Sequence, residues 1–145
     1  MKKKYVLLFI FFVWFRFSLI AQKENNTWYF GGGAGISFNA GVPVALTNAN
    51  ASFNPVEGSS SISDRTTGSI LFYTDGIQVF DKTHAQMSNG FALMGNGSST
   101  QAALIVPFVG NPNNYYIFTT DGGGPDGFNY SVVDIAPTQK MEKMM

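Results

Sequence analysis

The chain has 145 residues, of which 15% are aromatic and 12% are charged, and it carries no cysteine. These values exclude a disulfide framework, a thiolate metal site and a cysteine nucleophile, and they argue against disorder, which needs low hydrophobicity and high charge. The formal net charge is zero, but four of the nine basic residues lie in the first 21 positions, so residues 22–145 carry a net charge of about −4. A weakly acidic chain with scattered lysines offers no electrostatic footprint for nucleic acid, and we expect no nucleic-acid partner.

The first 21 residues have the layout of a secretory signal peptide. Lysines occupy positions 2–4, and an apolar run of 11 residues at 5–15 follows before Arg16. That run is shorter than the roughly 20 residues that a membrane-spanning helix needs. We therefore predict a signal helix that is cleaved after Ala21, with an uncleaved N-terminal anchor as the alternative, and membrane contact only through this segment.

From residue 27 onward the chain reads as short β-strands separated by turns. Aromatic and β-branched side chains alternate with clusters of Gly, Asn and Asp, a pattern that suits a pleated surface and tight turns. No segment shows the apolar spacing of an amphipathic helix over three turns. The predicted strands are 28–30, 36–38, 42–46, 60–63, 69–74, 77–80, 91–94, 102–106, 115–120 and 130–135.

Two Asp-Gly pairs predict the sharpest turns. Asp75 and Gly76 lie between two apolar runs, the pattern of a two-residue type I′ hairpin, in which both central residues need φ above zero. Asp121 and Gly122 open a longer glycine-rich turn. We interpret these four residues as structural turn residues.

Residues 70–76 and 116–122 are two copies of one pattern, 46 residues apart, with Phe, Thr, Asp and Gly identical at matching positions. The flanking strands match at offsets of 43 upstream and 53 downstream, with the insertions in loops. A period in the mid-forties with four short strands per unit is typical of β-propeller blades, which stack because one sheet cannot cover both of its faces alone. A two-sheet sandwich is the alternative, although it does not predict that a whole four-strand unit repeats.

The predicted fold class is therefore all-β, an incomplete β-propeller of about two to two and a half four-stranded antiparallel blades after the N-terminal signal helix. The polar, Met-rich tail has no strand pattern, and we expect it to fray. The expected boundaries are a signal peptide at 1–21, a partial propeller at 22–136 and a frayed tail at 137–145. The blade-like units span about 28–58, 59–100 and 101–136.

An ordered series of short motifs resembles one known group of proteins. The series is Trp-Tyr-Phe-Gly at 28–31, Val-Ala-Leu-Thr-Asn at 44–48, Ser-Ile-Ser-Asp at 61–64, Leu-Phe-Tyr-Thr-Asp-Gly at 71–76, Met-Ser-Asn-Gly at 87–90, Gly-Asn-Gly-Ser-Ser-Thr-Gln at 95–101, Asn-Tyr-Tyr-Ile-Phe-Thr at 114–119 and Tyr-Ser-Val-Val-Asp at 130–134. In this order the motifs resemble the N-terminal propeller-like region, of WD40/YVTN-like type, of large secreted Bacteroidetes surface proteins. Those proteins often end in a gliding-motility-associated or type IX secretion sorting domain.

That resemblance implies a secreted or outer-surface location in a Gram-negative bacterium. It also implies a non-catalytic binding or scaffold module, associated with adhesion or gliding motility, whose partner is a surface glycan or protein. Members of the group continue for several more blades, whereas this chain ends soon after Asp134, so we expect a truncated version. The alternatives are a carbohydrate-binding or glycoside-acting propeller domain, and a gene fragment without independent function that self-associates through open blade edges.

Candidate ligands for a metal are few. Asp121 and Asp126 lie in a glycine-rich loop and could contribute carboxylates to a calcium site, but calcium takes about six to eight oxygens and no EF-hand pattern is present. We expect no cofactor and keep calcium at this loop as the alternative. His84 is the only histidine, and we interpret it as an ordinary loop residue because a zinc site needs three or four ligands.

The acidic residues give no clear catalytic pair. A glycosidase needs two acids that face each other across a cleft, and Glu57, Asp64, Asp81 and Asp134 are available. The three aspartates end predicted strands, where Asp usually serves turns. We therefore predict that the chain is not an enzyme.

Six aromatic residues could form a carbohydrate-stacking face. Strand alternation more often sends such side chains into the layers between blades, and we favour core packing for them. They are Trp28, Tyr29, Tyr73, Tyr115, Tyr116 and Tyr130.

Overall fold

The structure is a computed structural model that describes residues 22–136 and the backbone of residues 140–144. These residues form ten β-strands and no helix, which confirms the all-β prediction. The predicted signal peptide at 1–21 lies outside the described residues. Within the described ranges, no helix is long and apolar enough to cross a membrane.

The described strands form three antiparallel sheets, and each sheet is a meander of consecutive strands. Sheet A contains β1 (Thr27–Gly31), β2 (Ala34–Ser37) and β3 (Val44–Leu46). Sheet B contains β4 (Ser60–Ser63), β5 (Ile70–Thr74) and β6 (Val79–Asp81). Sheet C contains β7 (Ala103–Pro107), β8 (Asn114–Thr120), β9 (Phe128–Asp134) and β10 (Lys140–Met144).

Strand β8 shows most clearly why these residues form sheets. Its side chains alternate strictly between buried and partly exposed, with Tyr115, Ile117 and Thr119 buried. Successive side chains of a strand point to opposite faces of the sheet, so this alternation turns one face of sheet C towards the interior. This inner face of sheet C packs against sheet B.

Sheet B packs against sheet C through an apolar cluster. Phe72 is fully buried, and its ring meets the ring of Tyr115 edge-on with 5.4 Å between centroids. Such edge-to-face contacts stabilise an aromatic pair beyond the area that it buries. The cluster consists of Ile62, Phe72, Val79, Met87 and Leu93 from the sheet B unit and of Ala103, Ile105, Tyr115, Ile117 and Val133 from sheet C.

The opposite face of sheet B packs against sheet A. The ring centroid of Tyr73 lies 4.8 Å from that of Tyr29 in β1 and 5.4 Å from that of Phe80 in β6. Phe53, in the loop after β3, is fully buried and contacts Tyr73 with 4.7 Å between centroids. Sheet B is therefore covered on both faces, and a loop residue completes one of the two cores.

The first strands of the three sheets lie side by side, and serines of β4 join them. Ser61 Oγ accepts a hydrogen bond from the Tyr29 amide of β1 at 3.1 Å, and Ser60 Oγ accepts one from the Ile105 amide of β7 at 3.3 Å. Ser59 Oγ donates to the Tyr29 carbonyl at 3.0 Å. Because adjacent side chains of a strand point to opposite faces, the small serines allow β4 to bond to both neighbours.

The fourth strand that we predicted at 91–94 is absent, so this part of the prediction is wrong. Asn89 and Ala92 have φ angles of 60° and 50°, which extended backbone does not allow. The chain before it still follows the edge of β6, because the Val79 amide donates to the Gly90 carbonyl and the Met87 amide donates to the Val79 carbonyl, both at 2.9 Å. The Leu93 amide then donates to the Ile77 carbonyl, in the turn before β6, at 3.0 Å. Sheet B thus has three regular strands and an edge covered by irregular chain.

The tail also differs from the prediction of fraying. Residues 140–144 form β10, which pairs with β9 so that Lys140 lies opposite Asp134 and Met144 lies opposite Tyr130. Without β10, strand β9 would present a row of unpaired backbone groups, which readily accepts a further strand. Residues 137–139 and 145 lie outside the described residues.

The turn after β5 is longer than a two-residue hairpin. Thr74 pairs with Val79, so the loop contains four residues, and only Gly76 among them has a positive φ, of 87°. Asp75 Oδ1 accepts hydrogen bonds from the Ile77 amide at 2.9 Å and from the Gln78 amide at 2.7 Å. The side chain of Asp75 therefore closes the turn, which removes the need for a second residue with positive φ.

Strand pairing changes the alignment of the repeat. Phe72 pairs with Ile62, and Phe118, which is 46 residues after Phe72, pairs with Leu104. The upstream strands therefore match at an offset of 42, whereas the sequence had suggested 43 and would have matched Ile62 with Ile105. A shift of one residue moves every side chain to the other face of the sheet, so this correction decides which surfaces are equivalent.

We predict that Ser61→Ala lowers the free energy of unfolding by about 1–2 kcal/mol, because it leaves the amide of the buried Tyr29 without an acceptor. Ser63→Ala is the matched control, since Ser63 Oγ is buried and makes no hydrogen bond. Removing that hydroxyl should leave the stability unchanged or raise it. Urea unfolding of both variants measures the difference. Equal losses in the two variants would contradict the role assigned to Ser61.

Candidate functional site

The outer face of sheet C, turned away from sheet B, is apolar and open to solvent. Phe128 is 68% exposed and Leu104 is 51% exposed. The solvated face of an antiparallel sheet usually carries polar side chains, and a contiguous apolar surface indicates contact with another molecule. We call this surface the C face, and it consists of Leu104, Val106, Tyr116, Phe118, Phe128 and Tyr130.

The aromatic rings of the C face form a continuous array. Phe118 stacks on Phe128 with 5.5 Å between centroids and on Tyr116 with 5.7 Å. Tyr116 also stacks on Phe108 at 4.9 Å and meets Tyr130 edge-on at 5.9 Å. These contacts restrain the rings, so the face presents a preorganised surface to a partner.

A cavity of about 680 Å³ opens beside this array. Its volume lies in the range of about 300–1,000 Å³ that small-molecule pockets occupy. The hydroxyl and amide side chains of residues 98–101 on its rim belong to the segment that connects sheets B and C, and Thr120 of β8 adds a further hydroxyl. The lining residues are Ser98, Ser99, Thr100, Gln101, Leu104, Phe118, Thr120, Gly122 and Phe128.

Sheet A has a second open apolar surface on the side away from sheet B. Trp28 is 44% exposed and Phe30 is 51% exposed, and their ring centroids lie 6.5 Å apart. Trp28 also contacts Phe38 at 5.4 Å, and its Nε1–H donates to the Asn25 carbonyl at 2.8 Å, which fixes the indole. We call the surface formed by Trp28, Phe30 and Phe38 the A face.

A polar cleft of about 340 Å³ lies along the first strands of sheets A and B. It combines aromatic rings with hydroxyl, amide and carboxylate groups. The lining residues are Trp28, Tyr29, Phe30, Glu57, Gly58, Ser59, Ser60, Ser61, Thr100 and Gln101.

The six aromatic residues that the sequence singled out divide into two groups. Tyr29, Tyr73 and Tyr115 are buried between sheets, as core packing requires. Trp28 and Tyr130 are exposed and Tyr116 is half-buried, and these three lie on the A and C faces.

Leu104, Phe118 and Phe128 are surface residues that were not predicted from the sequence. A signal was present in β8, where aromatic residues occupy both parities of the strand: Tyr115 on the inner face, and Tyr116 and Phe118 on the outer one. A strand that is apolar at both parities is typical of a sheet covered on both faces. The pattern indicates that the outer face of sheet C packs against another surface, but it does not identify that surface.

His84 is a loop residue, and its ring belongs to a hydrogen-bond network. Tyr29 Oη donates to Asn48 Oδ1 at 3.0 Å, so Asn48 Nδ2 is left to donate to His84 Nε2 at 3.0 Å. His84 Nδ1 then carries the proton and donates to Tyr73 Oη at 3.2 Å, which also accepts the Asn50 amide at 3.0 Å. The network seals the polar edge of the core between sheets A and B, which is a structural role.

Burial dominates the titration of three tyrosines. Desolvation raises the pKa of Tyr29 and Tyr73 above the usual value of 10.0, and the hydrogen bonds with Asn48 and Asn50 oppose this shift only in part. Desolvation also raises the pKa of Tyr115, in the core between sheets B and C. All three phenols are therefore held neutral by the two interfaces that they help to form.

The aspartates considered for catalysis bond to their own loops. Each accepts a hydrogen bond from a backbone amide two or three residues further along the chain. These bonds run from Thr66 and Thr67 to Asp64, from Thr83 to Asp81 and from Ala136 to Asp134, at 2.7–2.9 Å. The amides of Thr67 and Thr66 hold the pKa of Asp64 below its usual value. Glu57 lies elsewhere, in the polar cleft.

The proposed calcium loop is closed by one of its two aspartates. Asp121 Oδ2 accepts the Asp126 amide at 3.0 Å, and the Asp121 amide donates to the Gly127 carbonyl at 2.9 Å. Among residues 22–136, no group of three or more His, Asp or Glu side chains is placed to hold a metal ion. A calcium site at this loop would need oxygen ligands beyond these two carboxylates.

The geometry defines an all-β protein of three stacked antiparallel meanders with apolar outer faces. Comparison with known protein families, with curated proteins and with solved structures finds no match for this chain.

We predict that Tyr29, Tyr73 and Tyr115 ionise later than tyrosines in the unfolded chain. Their pKa values are raised in the folded state, so the stability that their neutral forms contribute is present below about pH 10 and is lost as the pH rises through the raised values. Phenolate absorbance during an alkaline titration of the folded protein measures this, and Tyr73→Phe should remove one late-ionising group. The same titration in urea is the control. A folded protein whose tyrosines all titrate as in urea would contradict the burial of these rings.

Proposed function

We propose that this chain is a non-catalytic scaffold module of a secreted or outer-surface bacterial protein, with its sheets arranged as blades of an incomplete β-propeller. The observation that carries the proposal is that sheet B is covered on both faces while β1, β4 and β7 lie side by side. Propeller blades are consecutive meanders that stack around a common centre, which requires this arrangement. A sandwich, by contrast, pairs two sheets around one core.

The hydrogen bonding of the polar side chains supports a non-catalytic role. A general acid or base must be free to reach a substrate, whereas Asp64, Asp81 and Asp121 accept amides of their own loops and His84 joins the A–B network. These groups stabilise turns and an interface.

The sequence supports the location. Residues 2–21 have the layout of a signal peptide, and the ordered motifs resemble the propeller-like region of Bacteroidetes surface proteins. An adhesive or gliding-associated role is what that resemblance implies.

Carbohydrate binding is a second candidate function, and the polar cleft favours it. The cleft places the exposed rings of Trp28 and Phe30 beside Glu57, Gln101 and the serines of β4. Sugars present an apolar ring face and polar edges, so aromatic rings flanked by hydroxyl, amide and carboxylate groups suit them.

We predict that the full chain, expressed in a Gram-negative host, is recovered from the exported fraction with Gln22 at its N-terminus, and that it hydrolyses none of a panel of chromogenic glycosides. Fractionation, mass spectrometry and the hydrolysis assay measure these outcomes.

A glycan array tests the second candidate, carbohydrate binding in the polar cleft. Trp28→Ala and Glu57→Gln should each lower glycan binding at least about tenfold, while Val109→Ala, at an exposed turn, leaves it unchanged.

Two results would contradict the proposal. Retention of Met1 by a chain that stays in the cytoplasm would contradict the exported location. Glycoside hydrolysis that disappears in Glu57→Gln would contradict the non-catalytic role.

A further inference from the structure

The C face repeats the surface through which sheet B packs on sheet C. The repeat relates β5 to β8, and strand pairing then fixes the equivalent positions in the strands on either side. Thr74 of β5 matches Thr120 of β8, and these two residues pair with Val79 and Phe128 in the third strands. The third strands therefore align at an offset of 49 residues, and not at the 53 predicted from the sequence. The three matching pairs are Ile62 with Leu104, Phe72 with Phe118 and Val79 with Phe128.

The matching residues differ sharply in exposure. On sheet B all three are at most 4% exposed, because sheet C covers them, whereas Leu104 and Phe128 on sheet C are more than half exposed. Each large apolar side chain left in water forgoes about 1.5–3 kcal/mol of burial free energy. A solvated face could carry polar residues at these positions without loss, yet all three are apolar. The C face therefore has the composition of a packing surface.

The A face is a surface that can cover the C face. The three sheets stack in one direction, so the next sheet in the series would present to the C face the side that sheet A leaves open. In β1, Tyr29 points to sheet B, and Trp28 and Phe30 point away from it. The residues that define the A face and the C face are all uncharged, and the carboxylate of Glu57 lies beside the A face in the polar cleft. Aromatic rings on both surfaces allow edge-to-face contacts like that of Phe72 with Tyr115.

We propose that the C face of one copy of this chain packs on the A face of a second copy, so that the sheets of the two copies stack head to tail. The proposal rests on the propeller arrangement proposed above. A contact between two different surfaces builds a ring when its rotation closes and a filament when it does not. The three sheets of residues 22–136 and 140–144, taken from each of two copies, make six, within the range of about four to eight blades that closed propellers use. The assembly is therefore a closed dimer with two equivalent contacts.

Cysteine cross-linking tests the direction of the contact. The chain contains no cysteine, so introduced thiols are the only ones present. Full-length Leu104→Cys, on the C face, is mixed with Phe30→Cys, on the A face, and oxidised gently. We expect a disulfide between the two variants, formed at least about tenfold faster than in a mixture of Val109→Cys with Phe30→Cys, because Val109 is exposed in a turn outside both faces.

Light scattering after size exclusion tests the stoichiometry. The unmodified chain should have the mass of a dimer, and Phe128→Asp and Trp28→Asp should each raise the dissociation constant at least about thirty-fold, because each places a charge in the contact. Val109→Asp is the matched control and should leave the dimer intact.

Several outcomes would overturn the head-to-tail dimer. Leu104→Cys that cross-links to itself faster than to Phe30→Cys would show a symmetric pairing of C faces. A mass of one copy would contradict the dimer. For such a single copy, a near-ultraviolet circular dichroism signal from packed tyrosines would show that the sheets still stack within the chain. Absence of that signal would contradict the proposed scaffold as well.

Discussion

The constraint on which this structure depends is that a β-sheet with apolar side chains on both faces must be covered on both. Strand β5 places Phe72 on one face and Tyr73 on the other, and both rings are fully buried. Burying one such ring contributes about 1.5–3 kcal/mol, a large fraction of the net stability of a small domain. Sheets A and C provide the cover, and the serines of β4 bond to both neighbours where the three sheets come together.

Much of the fold could be predicted from the sequence, because it depends on local pattern. The alternation of apolar and polar residues and the positions of turn residues predicted most of the strands. The repeat around Asp75 and Asp121 indicated where one blade-like unit ends and the next begins. The remaining features depend on tertiary contacts. Phe53 fills a core from a loop, and Ala92 takes a positive φ that prevents a strand at 91–94. The pairing of β10 with β9 depends on a strand edge that the sequence of the tail does not reveal.

The candidate site was only half predictable for a related reason. Strand periodicity shows that Tyr115 and Tyr116 point to opposite faces, but it does not show which face has a neighbour. The structure shows which face has a neighbour: sheet B covers Tyr115, and Tyr116 lies on the C face. His84 was likewise assigned to a loop correctly, while its bonds to Asn48 and Tyr73 depend on how sheet A meets sheet B.

Nuclear Overhauser effects between aromatic ring protons show whether sheet B is covered on both faces at once. We expect contacts between Phe72 and Tyr115, whose ring centroids lie 5.4 Å apart, together with contacts between Tyr73 and Tyr29, whose ring centroids lie 4.8 Å apart. Both sets should appear in one folded species. A folded protein that shows only one of the two sets, or neither, would contradict the stacking of three sheets.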